Sequence, residues 1–319
     1  SMLRGFQAME YQGQVSALPT SNVKVGYMYV LTQDITTPIT AKAYDTVIAR
    51  GSEGTNGYIS GTITWDLIPS GDDISQDTLT LAEIIDNGFA VLTVCYEDVT
   101  SDDDDFTNGL AGILFPDGKR NETDSGKIAM WAWAASRVLD YAETLSSRLD
   151  LEKSVVCGHS RLGKTALVAA MFDERFKFSY SNDSGCSGAA IARGTSEGGE
   201  RVADICRNFP FWFCENYKNY CNNEDNMPFD QHYLVASIAP RKVLIGSAAL
   251  DKWADPLSEM LCCVASSDAF NNGFKYEDRP PQVDDKFFDG DIGYHMRDGL
   301  HYFSRLDWLR LIEFINLHR

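Results

Sequence analysis

Positive charge is scarce in this chain of 319 residues: 28 lysines and arginines stand against 46 aspartates and glutamates, a net charge of −18. A nucleic-acid binder displaces phosphate counterions with its own cations, so that class is excluded. No apolar run approaches the roughly 18 residues that span a bilayer, so no transmembrane segment is expected. Ser1-Met2 reads as a cloning remnant, and no cationic-then-apolar leader follows it. The expectation is a chain trimmed of its leader or a cytosolic one. Eight cysteines are too few for a disulfide scaffold at this length, and none form C-x-x-C pairs with metal spacing. Cys95 and Cys157 lie in apolar runs and read as small buried hydrophobes. Cys206, Cys214 and Cys221 have material for one bridge. What the chain does have, 44 % hydrophobic residues beside 23 % charged, is enough for a large core.

Residues 23–32 read as a strand, and short β-like runs broken by Gly, Thr and Ser continue to Pro69. From Leu79 a helix-like stretch ends at Asn87-Gly88. The continuous apolar run Phe89–Tyr96 then suits a parallel strand covered on both faces. A loop from Glu97 to Gly126 leads into a helix whose stripe is Ile128, Trp131, Ala132, Ala135, Val138 and Leu139. Further strands are expected at 154–157, 176–180 and 242–246, with helices at 165–171 and 305–318. Alternation of this kind over some 240 residues predicts an α/β fold: a mostly parallel sheet with helices on both sides, in a single domain, 1–319. The run Asp102–Asp105 offers carboxylates to calcium, but four adjacent like charges more readily form a solvated loop, and that is the expectation.

Chemistry concentrates at Gly158-His159-Ser160-Arg161-Leu162-Gly163-Lys164-Thr165, between a strand and a helix. The segment satisfies G-x-x-x-x-G-K-[ST], the phosphate-cradling loop. It also reads as a nucleophile elbow, which thrusts a serine out at the carboxyl end of a sheet, although Gly163 falls one position later than usual. A phosphate loop needs a second strand ending in a magnesium-holding aspartate, and none is suitably placed. The elbow needs an acid and then a histidine on later strand ends. The order Ser160, Asp251, His301 provides them. Arg161 and Lys164 fall in the first helical turn, where the helix dipole disfavours cations. Either both are exposed surface cations or both face a substrate, Arg161 then supplementing backbone donors to an oxyanion.

This turn resembles the G-[CH]-S-R-x-G-K signature of bacterial glucuronoyl esterases, carbohydrate esterase family 15. Agreement extends to Trp131–Arg137, Asp183–Ala190, Gly199-Glu200, Phe209–Phe213, Pro228–His232, Ile238–Arg241, Asp251–Pro256, Gly293–His295, Gly299–His301 and Asp307-Trp308. The resemblance covers about 85–318; residues 1–80 are not matched. It implies an α/β-hydrolase fold, a three-layer α/β/α sandwich, with no metal and no cofactor. The implied activity is cleavage of esters between 4-O-methyl-glucuronic acid on xylan and lignin alcohols, by a monomer outside the cell or at its surface. By position, Ser160 matches the nucleophile, His301 the base, Arg161 the oxyanion arginine, and Lys164, Glu200 and Trp253 the sugar-holding residues. The family places its acid at either of two strand ends, matched here by Asp183 and Asp251; the shorter reach of Asp183 favours Asp251. Many fungal members bridge the nucleophile turn to the histidine loop with a disulfide, where His159 and Tyr302 stand here. Glu197, in a short insertion, competes with Glu200.

Among the remaining residues, His232 reads as a supporting side chain, His295 as core and His318 as terminal, while Trp131 and Trp133 are expected to pack. An acetyl or feruloyl esterase, and a silent carbohydrate-binding module on the same fold, are the alternative functions.

Overall fold

A computed structural model describes residues 10–24, 27–41, 46–54, 58–68 and 81–318. The chain divides into two compact units, Ser1–Val91 with Ser304–Leu309, and Leu92–Phe303 with Arg310–Arg319.

In the first unit, β1 (Glu10–Val15), β2 (Tyr27–Leu31), β3 (Thr46–Glu53) and β4 (Ile59–Ile68) form one sheet in that order. The first pair is parallel and the other two antiparallel. Leu18, Val23, Leu31, Val47, Ala49 and Trp65 bury a small core there. The expected β-rich texture is seen in the described residues, which here reach Ile68; Pro69 lies outside them. The expected strand at 23–32 shortens to β2, with Val25 and Gly26 outside the described residues. The helix-like stretch becomes α1 (Leu81–Asp86), and Leu79 and Thr80 also lie outside the described residues.

The second unit holds α2 (Tyr96–Val99), α3 (Gly109–Leu114), α4 (Lys127–Glu143), β5 (Val155–His159), α5 (Arg161–Phe172), β6 (Phe178–Asn182), α6 (Val202–Asn208), α7 (Gln231–Ala236), β7 (Lys242–Ala248), α8 (Pro256–Ser266), β8 (Lys286–Phe287) and β9 (Ile292–Arg297). The last helix is α9 (Arg305–Leu317). Its sheet runs β5-β6-β7-β9-β8, parallel throughout except for β8. Both faces are covered, as the near-continuous apolar strands require. Val243, Ile245, Ile292 and Tyr294 pack into one cluster with residues of α4, α5, α7 and α8. On the other face, Gly293 lets the Phe314 ring of α9 approach so closely that a Cβ would lie 2.6 Å from it. The predicted mostly parallel sheet with helices on both sides is therefore present.

Several local expectations fail. The run 89–95 is no strand: it has no ladder to any described strand, and Leu92 and Val94 are 41 % and 39 % exposed. Apolar composition favours burial but cannot supply the neighbour a strand must pair with. Cys95 is accordingly exposed and Cys157 half-buried on β5, and all eight cysteines are free thiols, so the 206–221 region forms no bridge. Trp131 packs, its indole donating to the Thr100 carbonyl, but Trp133 is 44 % exposed with the Arg137 guanidinium 5.2 Å from its ring. Two residues along a helix is about 200° of rotation, so the two indoles leave on opposite sides. The expected loop 97–126 contains α3 and most of α2.

Candidate active site

The strand β5 ends at His159, one residue turns, and α5 begins at Arg161. That residue is Ser160, held at φ 57° and ψ −125°. A non-glycine backbone in this sparsely populated region costs on the order of 1–3 kcal/mol, and the surrounding fold must over-determine it. Two glycines allow that. A Cβ on Gly158 would sit 2.2 Å from the Leu162 carbonyl oxygen, and one on Gly163 would sit 2.9 Å from Ser184 Cβ. Gly163 thus does the close helix-to-strand packing despite its late position. The amide of Ser160 donates to the Asn182 carbonyl at 2.9 Å, pinning the turn to the end of β6.

Around Ser160 the strand ends deliver the partners the order of residues predicted. His301 Nε2 lies 2.9 Å from Ser160 Oγ, and His301 Nδ1 lies 2.5 Å from Asp251 Oδ2. Asp251 follows β7 and is buried, and its other oxygen accepts the Ala254 amide. Burial alone would raise its pKa, but the hydrogen bond and charge of His301 outweigh that and hold it below the ordinary carboxylate value. Asp183, after β6, joins the same cluster, its carboxylate and the Asp251 and His301 groups all within 4.8 Å of one another. Its oxygens also hold the Ala248 amide at 2.7 Å and the buried Arg297 guanidinium at 3.2 Å. Arg297 in turn donates to the carbonyls of Asp298, Leu300 and Tyr302, around the histidine. At the positions where fungal relatives were expected to carry a disulfide, the His159 ring lies 4.4 Å from that of His301, and Tyr302 stacks 4.2 Å from Arg297.

The two helix-start cations behave differently. Lys164 is buried, donating Nζ to the Ser184 and Cys186 carbonyls with the Glu200 carboxylate 3.7 Å away. An ammonium so engaged is no phosphate-loop lysine, and the phosphate-loop reading falls. Glu200 is buried too, which raises its pKa against the lowering pull of Lys164, whereas Glu197 is exposed. The Glu200 amide donates to the Trp253 carbonyl at 2.9 Å, and the Trp253 side chain stays 48 % exposed. Arg161 turns the other way, onto the carboxylate of Asp102. Its guanidinium sits 5.1 Å from the Trp212 ring and 5.6 Å from that of Phe209.

Asp102 corrects the reading of the acidic run as a solvated loop. Its side chain is only 7 % exposed, accepting Arg161 at one oxygen and the Trp212 indole N–H at 2.8 Å at the other. The run's other members behave locally: Asp103 and Asp105 cap turns, and hydrogen bonds from Thr107 push Asp105 down to about 2. Sequence reasoning missed Asp102, Arg297 and Trp212 as partners of the site; only the Phe209–Phe213 motif gave a signal, for Trp212. His295 is core as expected, its Nε2 2.9 Å from the Tyr180 hydroxyl. The His232 ring lies 4.5 Å from that of Tyr233, tilted by 39°, and His318 reaches the Phe288 carbonyl.

Comparison with known proteins agrees with this geometry. A family profile described as glucuronyl esterase, fungi, matches residues 72–272. A carbohydrate esterase, MZ0003, from an unknown prokaryotic organism is 38 % identical over 247 residues, 75 % of this chain and 55 % of its own length. The 4-O-methyl-glucuronoyl methylesterase 1 of Wolfiporia cocos is 30 % identical over 220 residues, 66 % of this chain and 51 % of its own. The chain thus spans about half the length of these curated relatives. Among solved structures, a promiscuous esterase of carbohydrate esterase family 15 from a marine bacterial metagenome superposes with a TM-score of 0.67 at 28 % identity, covering 94 % of this chain and 88 % of that one. The serine turn, the strand-end acids and these matches place the chain in the glucuronoyl esterase family, carbohydrate esterase family 15, with its α/β-hydrolase fold.

Proposed function

We propose that this chain is a serine esterase that hydrolyses the ester between 4-O-methyl-glucuronic acid on glucuronoxylan and lignin alcohols, acting as a monomer outside the cell or at its surface. The relay Ser160–His301–Asp251, at 2.9 and 2.5 Å, is the observation that carries the reading. Ser160 Oγ attacks the ester carbonyl as its proton passes to His301 Nε2, and Asp251 on Nδ1 fixes the imidazole tautomer and steadies the imidazolium. The oxyanion meets the amide at the start of α5 and the Arg161 guanidinium. The imidazolium then returns its proton to the departing alcohol, and water, activated by the same imidazole, releases the uronate from the acyl-enzyme. Support for a uronate comes from the buried Lys164–Glu200 pair beside the open Trp253 ring, since a site built to bond hydroxyls rejects analogues lacking them.

The test is hydrolysis of methyl or benzyl glucuronate, run beside acetate and ferulate esters. Ser160→Ala is expected to abolish turnover with an unchanged melting temperature. Retained turnover removes Ser160 from the reaction, and a preference for acetate or ferulate overturns the uronate assignment.

A further inference from the structure

We propose that Asp102 is a positioning residue for Arg161 and the counter-charge that lets the site release its anionic product; this rests on the esterase reading above. Nothing local requires Asp102 to point inward, since Asp103 and Asp105 serve the turns of their own loop. Asp102 instead grips Arg161 and Trp212, 59 and 110 positions away in the chain. One oxygen takes the Arg161 guanidinium, and the Tyr96 hydroxyl lies 3.4 Å from it; the other takes the Trp212 N–H. The Trp212 ring is stacked on Phe209 at 3.8 Å, so the guanidinium is held by a carboxylate and lies 5.1 and 5.6 Å from the rings of a fixed aromatic pair. An arginine on a free side chain samples many positions; this one is held in one by Asp102, and preorganised donors are the ones that lower a barrier.

Charge supplies the second part. Hydrolysis converts a neutral ester into a carboxylate left beside two cations. Each of those cations carries its own carboxylate, Asp102 on Arg161 and Glu200 beside Lys164. A neutral guanidinium–carboxylate pair still offers directed N–H bonds to a transient oxyanion, but it presents no net charge to a lasting anion. Asp102→Asn keeps an acceptor for the Trp212 N–H and removes the charge.

Steady-state kinetics with methyl glucuronate, and inhibition by free glucuronate, test both parts. Asp102→Asn should lower kcat by about tenfold to a hundredfold, below the full loss of an oxyanion donor. It should also tighten glucuronate inhibition by roughly fivefold or more, an effect that added salt weakens. Combined with Arg161→Ala, it should add nothing to the single arginine variant. Unchanged kcat and inhibition, or additive losses in the double variant, overturn the proposal. Should Asp102→Asn fail to fold, Trp212→Phe decides: kcat must fall while glucuronate inhibition stays as in the wild type, because the charge is intact. An unchanged kcat there overturns it equally. A wild-type chain that turns over no uronate ester sinks the esterase reading and this inference together; a wild type that works, matched by Asp102→Asn, sinks this inference alone.

Discussion

Asp183 and Asp251 end neighbouring parallel strands and share one cluster with His301, yet their surroundings differ. Asp251 gives an oxygen to the imidazole at 2.5 Å. Asp183 is enclosed, φ +42°, joining the end of β7 through the Ala248 amide to the buried Arg297 that holds the histidine loop. The first arrangement suits orienting a base. The second suits holding the loop on which that base rides. Two carboxylates of the same type, one strand apart, are thus separated by what each faces.

The largest effect that would break this contrast is catalytic. Asp251→Asn should lower kcat by about 10³–10⁴-fold through loss of the correct tautomer, with the circular-dichroism spectrum unchanged. Asp183→Asn should cost far less activity, and an equal loss in both variants would erase the distinction. Next comes stability: Asp183→Asn strips a buried guanidinium of its counter-ion, and urea unfolding should show a loss of about 3 kcal/mol or more.

A third carboxylate sharpens the comparison from below. Glu259 of α8 is fully buried, taking the amides of Ser184 and Gly185 and the hydroxyl of Ser247. Burial raises it from 4.5 to about 7, against those hydrogen bonds. With the folded value raised, the unfolded chain gives up this proton first, so stability falls as pH rises from about 4.5 to about 7 and is level above. Glu259→Gln should flatten that stretch of the curve by up to about 3 kcal/mol, measured by urea midpoints across pH. The smallest effect belongs to Asp251 itself. Its lowered folded value means its contribution is full above the unfolded value near 4 and is lost as pH falls through the folded one. In Asp251→Asn the stability curve should lose that acid limb and no other.

Much of this was legible in the residues. Ser160, its two glycines and the later order of Asp251 and His301 are local or ordinal features, and a turn flanked by a strand and a helix needs little else to be recognised. The parallel sheet was legible for a related reason: β5 and β7 are largely apolar runs bounded by clear breaks, and β6 sets Phe178 and Tyr180 between polar residues. The stretch 89–95 misled because it is as apolar as β7 while it has no strand to pair with among the described residues. Asp102 was hidden by its company, since a run of four acids reads as solvent-facing until Arg161, 59 positions away, is seen to draw one of them in.

By themselves, then, the residues determined the alternation of strands and helices, the serine turn and the ordered set from which a catalytic relay can be drawn, because each depends on periodicity or on contacts between near neighbours. Tertiary structure decided which acid meets the imidazole, that Asp183 pairs with Arg297, that Lys164 is buried against Glu200, and that Asp102 holds Arg161. Those are choices among side chains of like charge, settled by distances of a few ångströms between segments that only folding brings together.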